Sequence, residues 1–359
     1  MLNRRSFIRT TALSGVGATL FSSDVFSWTG KTPRPARLAY LSHSPAGVTC
    51  LPILKWQETM LFTSVDDKAF CRLLRRDDID AIVVDVLPSQ RTPIALAAME
   101  AGKCTAFTEP VAHTVRSVQQ IAAMYAQTGT PCLLLDNECF SRDALAVSSM
   151  ARQHQFGPLT HVACGTDSLT NGLGLAMELL AINRGNRFVS LNASVSQSWG
   201  LYEPIASVPT GENESIVKQY QLGEVMTIHL QCQNGETVTV NRDLTGKRPY
   251  ARGYRVQGTK GFWMEDNDLL SRQGQDHSFT AIRPPFDHPF WQPNQAGIPT
   301  QPNALSSFVT ALQTHTITPA NTFDALTIPL VYAIAKSSLA VWNNNINIPD
   351  WFSNVTTSA

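Results

Sequence analysis

The residues with the clearest chemical potential lie in a short loop near the start of the chain. Residues 38–47 read LAYLSHSPAG, an apolar run that leads into a loop, as in the first strand of a dinucleotide-binding fold. In that loop, three glycines spaced G-x-G-x-x-G allow a tight turn and a close approach of the backbone to a pyrophosphate. Here the three positions hold Ser42, Ser44 and Gly47. The spacing therefore predicts a nucleotide cleft whose loop has lost two of its three glycines.

Other kinds of catalytic site find little support. The seven cysteines are scattered without a C-x-x-C pair, which argues against a zinc site and against a disulfide framework. The chain has no G-x-S-x-G, so the nucleophile turn of the α/β hydrolases is missing. His113, His161 and Glu109 could each act as a base, but no sequence feature places any two of them near one substrate. The catalytic residues therefore stay unknown, and we expect no metal site.

The elements that would hold the nucleotide loop alternate regularly along the first part of the chain. Apolar, β-branched runs such as DAIVVDVL and PCLLLDN predict strands that are buried on both faces. Amphipathic runs such as DKAFCRLLRR and VRSVQQIAAMYAQTG lie between them and predict helices. MLFTSV is a further strand candidate. This alternation is typical of a Rossmann-like, doubly wound parallel sheet.

The pattern changes after about residue 137. One more helix, SRDALAVSSMARQHQFG, precedes strand-like alternation in RFVSLNASVS, EVMTIHLQCQNGETVTVNRDL and GYRVQGTKGFWM. Asn234-Gly235 is a strong hairpin turn signal, and strands joined by hairpins are antiparallel. Residues 282–303 are proline-rich and irregular, and the chain then returns to helix, with Pro329 as a kink or a start. The sequence therefore predicts an α/β fold with a second, α+β domain built on a mainly antiparallel sheet.

Length and charge limit the domain organisation and the classes of partner. With 359 residues we expect a signal segment at 1–30, a dinucleotide-binding domain at 36–137 and an α+β domain at 138–359. The formal net charge is zero and no basic stripe is present, which argues against a nucleic-acid partner. No apolar run is long enough to span a bilayer. Assembly into a homo-oligomer through the C-terminal sheet is left open.

The first residues predict export. Arg4 and Arg5, in NRRSFIR, precede the mildly apolar stretch TTALSGVGATLF, a pattern that resembles a twin-arginine signal. That route carries folded proteins, which suits a protein that is loaded with a cofactor before export. We therefore expect a periplasmic protein, and the absence of a clear A-x-A leaves the cleavage site open.

Several longer stretches resemble known families. Residues 77–103, DDIDAIVVDVLPSQRTPIALAAMEAGK, resemble the first domain of the glucose-fructose oxidoreductase and inositol dehydrogenase superfamily. Three later stretches, with HPFW and NIPDWF, are similar to glycoside hydrolase family 109: DNECFSRDALAVSSMARQHQFG, NGLGLAMELLAINRGNRF and RPYARGYRVQGTKG. The resemblance implies bound NAD and a redox route to glycoside cleavage. Hydride leaves sugar C3, elimination expels the aglycone, water adds, and the hydride returns.

The resemblance also suggests which residues contact the cofactor. Gly47 and Ser44 belong to the pyrophosphate loop, whose lost glycines predict a weakened affinity for NAD. Asp67 takes the position of the acid that holds the adenosine ribose, although a helix cap would explain it equally. Arg91 ends the stretch that replaces the family's Trp-x-Trp-His, and it could reach a phosphate or lie solvated at a helix start. Glu109 is displaced by one residue from the family's glutamate. Asn137 is kept at a cofactor-contacting position, or else caps the following turn.

Fewer of the family's residues are retained at the positions that would contact the substrate. Ser168 and Asn171 stand in SLTN, where the family has Tyr-Pro-Thr-His, so an amide replaces the histidine and cannot serve as a base near neutral pH. Tyr250, in RPY, is retained and could contact a carbohydrate ligand. The first hypothesis is therefore an NAD-dependent glycosidase with altered or weakened activity. Two alternatives stay open: a non-catalytic sugar- or nucleotide-binding scaffold, and a sugar oxidoreductase of the wider superfamily.

We expect the double substitution Arg4→Lys and Arg5→Lys to leave the protein in the cytoplasm, because the twin-arginine route recognises the paired arginines. Cell fractionation followed by immunoblotting measures the effect, and Arg34→Lys in the following linker is the matched control. If the double variant reaches the periplasm as efficiently as the unchanged chain, residues 1–30 are not a twin-arginine signal.

Overall fold

The structure is a computed structural model. It describes residues 37–42, 57–61, 64–166, 172–197, 223–243, 253–272, 274–288, 304–314, 321–340 and 345–350.

The first half of the chain forms a five-stranded parallel sheet in the order β2-β1-β3-β4-β5. The strands other than β2 are nearly continuous apolar runs because both of their faces are covered. The strands are β1 Leu38–Ser42, β2 Gln57–Leu61, β3 Ala81–Asp85, β4 Cys104–Phe107 and β5 Cys132–Leu134, and the helices between them are α1 Lys68–Leu74, α2 Pro88–Glu100 and α3 Val115–Thr128.

Local signals set the ends of these helices. Asp67 caps α1 by accepting a hydrogen bond of 2.6 Å from the backbone N–H of Ala69. Thr114 caps α3 in the same way, and α3 ends at Gly129, whose φ of 66° is a left-handed conformation that glycine adopts without strain. The apolar sides of the three helices pack on one face of the sheet.

The second half forms a mixed, mainly antiparallel sheet of nine strands, in the order β13-β12-β11-β10-β6-β9-β8-β7-β14. Only the β6–β9 pair is parallel among these described strands. The elements, in chain order, are α4 Arg142–Arg152, β6 Leu159–Thr166, α5 Leu173–Leu179, β7 Phe188–Val195, β8 Val225–Cys232, β9 Thr237–Asp243, β10 Arg255–Gly258, β11 Gly261–Met264, β12 Leu269–Arg272, β13 Gln275–Ser278, α6 Phe279–Ile282, α7 Ala304–Thr314, α8 Thr322–Ala340 and β14 Ile346–Asn347, with short 3-10 turns at Glu138–Phe140 and Pro284–Phe286.

Two C-terminal helices join the halves. α7 covers the second face of the parallel sheet with Phe308, Val309 and Leu312. α8 packs against α3 and β5 of the first half and also against β7 and α5 of the second. It is apolar almost all round because it is buried between them, yet no helix of the described ranges is long and apolar enough to cross a membrane.

The start of α8 is fixed by a buried ion pair. The carboxylate of Asp324 accepts hydrogen bonds of 3.2 Å and 2.5 Å from the guanidinium of Arg184, which lies in the turn after α5. Asn183 donates a further hydrogen bond of 3.0 Å to the same carboxylate. Both charged side chains are mostly buried, at 14% and 11% exposure, so each charge depends on the other for compensation.

The expected fold class is confirmed, since a parallel sheet precedes a mainly antiparallel one. The hairpin expected at Asn234-Gly235 joins β8 to β9, and Gly235 has a φ of 103°. One detail was wrong: the second strand is Gln57–Leu61 rather than residues 60–65. Pro329 lies inside α8, which excludes it as the start of the helix and leaves the predicted kink open. The domain boundaries stay a prediction.

We expect Asp324→Ala to lower the free energy of unfolding by about 3–5 kcal/mol, because it removes the carboxylate that is paired with the mostly buried Arg184. Urea denaturation measures the change. The control is Asp350→Ala, which removes a more exposed partner, 3.5 Å from Arg187, and should cost less than about 1 kcal/mol. Equal effects in the two variants would mean that the Asp324 pair does not anchor α8.

Candidate functional site

The carboxyl ends of the parallel strands meet along one edge. β1, β3, β4 and β5 end at Ser42, Asp85, Phe107 and Leu134, and Ser42 and Asp85 are register partners. In open α/β sheets, ligands bind in the crevice outside this edge. The predicted cofactor residues that the structure describes follow these strand ends, with the exception of Asp67, which follows β2.

Arg91 is half-buried and links two strand ends. Its Nε donates to the carbonyl of Val86 at 3.0 Å, and its Nη1 donates to the carbonyl of Pro110 at 3.3 Å. The next residue, Thr92, donates to the carbonyl of Val111 at 2.8 Å, so the start of α2 is tied to the segment after β4. Arg91 is therefore not a freely solvated side chain, and its contact with a phosphate stays a prediction.

Two carboxylates lie beside Arg91. Burial raises the pKa of Glu109, and the nearby Arg91 opposes that shift. Asp85 accepts a hydrogen bond of 3.1 Å from the hydroxyl of Tyr40, whose pKa is raised to about 12 by burial and by Asp85. Thr108 donates a longer bond of 3.4 Å to Asp85. The middle of the edge therefore carries two acidic groups and one arginine in close proximity.

Asn137 follows β5 and caps a helix that is distant in sequence. Its Oδ1 accepts a hydrogen bond of 2.9 Å from the backbone N–H of Ala304, the first residue of α7. It makes no side-chain cap bond to the 3-10 turn that directly follows it, so the expected local cap is corrected to a long-range one. Because a backbone N–H can only donate, the amide orientation is fixed and the exposed Asn137 keeps its NH₂ group for a ligand.

Asp67 is the observed cap of α1, as described above, and its contact with a ribose stays a prediction. Five of the other predicted residues lie outside the described residues: Ser44, Gly47, Ser168, Asn171 and Tyr250.

The two histidines proposed as bases lie in different places. His113 follows the β4 end near Arg91, and burial lowers its pKa. His161 lies near the start of β6, where its Nδ1 is 2.8 Å from the hydroxyl of Thr237. At about 3.3 Å per residue, His161 is about 16 Å from the carboxyl end of its strand at Thr166. His161 therefore lies at the opposite end of β6 from Thr166.

Asp136 is a carboxylate that the sequence analysis did not single out. It follows β5, accepts a bond of 3.0 Å from the backbone N–H of Glu138, and has the Cys139 thiol 3.4 Å from its Oδ2. The first turn of α5 packs directly on this loop, and a Cβ at Gly174 would overlap Asp136 Oδ2 and Cys139 Sγ. Because α5 begins directly after Asn171, this contact joins the cofactor edge to the predicted sugar segment.

A cavity of about 70 Å³ lies behind this contact, between Asp136, Gly174, Glu178 and Asp324. Burial raises the pKa of Glu178 to about 7, although Arg184 and Arg152 both oppose the shift. Arg152 is 3.4 Å from Glu178, whose side chain is 18% exposed. The cavity therefore has a carboxyl group at its wall that changes charge near neutral pH.

The chain shares its fold with solved oxidoreductases. An inositol dehydrogenase homolog from Azotobacter vinelandii, complexed with NADH and myo-inositol, superposes with a TM-score of 0.62 and 13% identity over 88% of this chain and 98% of its own. An aldose-aldose oxidoreductase from Caulobacter crescentus, complexed with glycerol, gives 0.60 and 16% over 88% and 100%.

Sequence comparison gives the family. The model described as "Glycosyl hydrolase 109, C-terminal domain" matches residues 167–356, more than half of the chain, which therefore belongs to glycosyl hydrolase family 109. A family 109 protein of Stenotrophomonas maltophilia is 27% identical over 80% of this chain and 76% of its own. An alpha-N-acetylgalactosaminidase of Tannerella forsythia is also 27% identical, over 79% and 73%. The expected resemblance is confirmed, and the chain is related to hydrolases and oxidoreductases.

We expect the stability of the protein to fall as pH rises from about 4.5 to 7. In this window the folded state keeps a proton on Glu178 that the unfolded state has lost, so unfolding becomes more favourable with each step in pH. Glu178→Gln should remove up to about 3 kcal/mol of this dependence. Urea denaturation at several pH values measures it, with the exposed Glu100→Gln as control. An unchanged slope in Glu178→Gln would contradict the assignment.

Proposed function

We propose that the chain is an NAD-dependent enzyme that cleaves glycosides by the redox route of its family, at a reduced rate. The observation that carries this proposal is the direct packing of Asp136, at the cofactor edge, on Gly174, at the start of α5. A nucleotide bound at the edge that carries Asp136 and a sugar bound near Gly174 would therefore be neighbours. The names of the relatives suggest an α-linked N-acetylgalactosaminide as the substrate class, and the first residues suggest an exported protein.

The described residues fit the nicotinamide half of NAD. Asn137 offers an oriented NH₂ group, which suits the carbonyl of a carboxamide. The buried Oε1 of Gln90 and Nε2 of His113, both near Arg91, have no hydrogen-bond partner among the described residues, as expected where a ligand supplies one. Leu87 presents an apolar surface, 51% exposed, at the same edge. Glu109 is held near Arg91, where its carboxylate could accept from a ribose hydroxyl.

NAD, when bound, supplies a reversible acceptor for hydride from the sugar. The protein must then orient the sugar and remove a proton from the carbon beside the oxidised one. The family's histidine for this task is Asn171 here, and an amide cannot accept a proton near neutral pH.

We assign the removal of this sugar proton to the carboxylate of Asp136. Its carboxylate lies against the first turn of α5, directly after Asn171 in the chain. Its Oδ1 and Oδ2 each accept a hydrogen bond, from Glu138 and from Cys139, and these bonds orient the group. A carboxylate is a weaker base than the imidazole that it would replace, which supports a slow enzyme.

A sugar oxidoreductase is the second candidate. The solved structures that share the fold favour it, because one of them holds NADH with myo-inositol. The two candidates differ in where the hydride is after one turnover: a glycosidase returns it to its product, whereas an oxidoreductase leaves NADH behind.

Native mass spectrometry of the purified protein is expected to detect NAD, and p-nitrophenyl α-N-acetylgalactosaminide should be cleaved slowly without accumulation of NADH. Asp136→Asn should lower turnover by about 10²-fold or more, because the loss of a general base typically costs 10²–10⁴-fold.

The exposed Asp66→Asn is the matched control. NADH accumulating at 340 nm without nitrophenol release would favour the oxidoreductase instead. A protein that neither binds NAD nor turns over any glycoside would be a non-catalytic scaffold.

A further inference from the structure

Glu178 lies on the same face of α5 as the close contact at Gly174. Residues four apart in a helix share one face, so Glu178 follows Gly174 by one turn, about 6 Å along the axis. Helical side chains lean toward the N-terminus of their helix, which directs Glu178 back toward Gly174. Because Gly174 has no side chain, Asp136 approaches this face one turn before Glu178.

Asp136 and Glu178 line the same cavity of about 70 Å³. A buried water molecule needs at least about 10–15 Å³ of such space and several polar partners. The cavity therefore has room for several water molecules. The polar residues of its wall are Asp136, Ser148, Glu178, Arg184 and Asp324. Water held by these groups can join the two carboxyl groups through hydrogen bonds.

Several charged or titratable groups surround Glu178. They are Arg152 on α4, Arg184 in the turn after α5, Asp324 on α8, and Asp136 and Cys139 in the loop after β5. Burial raises the pKa of Glu178 to about 7, while the two arginines oppose this shift and Asp324 adds to it. A carboxyl group with this pKa accepts and releases protons near neutral pH, whereas an ordinary glutamate stays charged there.

Glu178 also has access to solvent. Its side chain is 18% exposed, and the side chain of Arg152, 3.4 Å away, is 38% exposed. The side chain of Glu178 therefore borders the cavity and reaches the outside beside Arg152. A proton that arrives through the cavity can leave the protein at this point.

A base that has accepted a proton must release it before it can act again. A sugar bound near the start of α5 would cover one side of Asp136, whereas the cavity lies behind the contact with Gly174. Transfer through the cavity keeps the charges balanced, because Asp136 becomes a carboxylate while Glu178 becomes a neutral acid. Glu178 then gives the proton to solvent, and the reverse steps return a proton to Asp136.

We propose that Glu178 exchanges protons between Asp136 and solvent through water in this cavity. The hydrogen that Asp136 removes from the sugar is then not the one that is returned to it. This inference rests on the proposed function, in which Asp136 is the base. Glu178 acts through Asp136 and does not touch the substrate itself.

Cleavage of p-nitrophenyl α-N-acetylgalactosaminide in D₂O by the full chain tests the proposal, with NMR of the released sugar as the measurement. The unchanged chain should incorporate deuterium at C2, because the proton on Asp136 is replaced from solvent before it is returned. Glu178→Gln keeps the shape of the side chain, but an amide cannot accept a proton near neutral pH. The deuterated fraction should therefore fall several-fold in this variant.

Arg152→Met is the matched control. It removes the ion pair of Glu178 and leaves the carboxyl group in place, so its product should be deuterated as in the unchanged chain. A loss of deuterium in Arg152→Met equal to that in Glu178→Gln would show that the ion pair causes the effect, and would overturn the proposal.

Infrared spectroscopy of the protein without sugar gives a readout that does not depend on turnover. A neutral carboxyl group absorbs at a different frequency from a carboxylate, so the neutral form of Glu178 should be visible near neutral pH and missing in Glu178→Gln. If the two spectra show the same content of neutral carboxyl groups, Glu178 holds no proton under these conditions and the proposal is wrong.

The outcomes separate this inference from the proposed function. If the product of Glu178→Gln is deuterated as fully as that of the unchanged chain, Asp136 exchanges with solvent directly. The glycosidase then stands and the role of Glu178 is wrong. The same conclusion follows if the unchanged chain returns the original hydrogen to C2. If the unchanged chain releases no nitrophenol, the proposed glycosidase fails together with the proton route that depends on it.

Discussion

The salt bridge between Arg184 and Asp324 determines how the two sheets are held together. Asp324 lies in the first turn of α8, and Arg184 lies in the turn between α5 and β7, so the pair ties the longest helix to the second half of the chain. α8 also packs on α3 and β5, which gives it a surface in each half. Because the pair is little exposed, the local dielectric constant is low and the attraction between the two charges is strong. The loss of either residue is correspondingly unfavourable.

α8 contacts both β5 and α5, and the start of α5 lies against the loop that follows β5. Asp85 and Glu109 lie at the carboxyl edge of the parallel sheet, near Arg91. We expect these two acidic groups, together with the serines of the first loop, to lower the affinity for a pyrophosphate relative to a glycine-rich cleft.

Much of the fold can be read from the sequence because burial leaves a periodic pattern. The continuous runs around Val83 and Leu133 predict strands covered on both faces, and the alternation in β9 predicts one covered face. In β9, Arg242 is a charged residue at a position where the alternation predicts an apolar one. The pattern cannot tell whether a carboxylate reaches it. The long-range contacts are equally hidden: Asn137 looks like a local cap and instead caps α7, and Asp136 looks like an ordinary turn residue. Both depend on chain segments far away in sequence.

The close contact at Gly174 restricts which residue can occupy that position. With no room for even a Cβ between α5 and the loop at Asp136 and Cys139, any other residue at position 174 would have to push the helix or the loop away. Because α5 begins two residues after Asn171, such a shift would disturb the loop after β5 and the segment before α5 together.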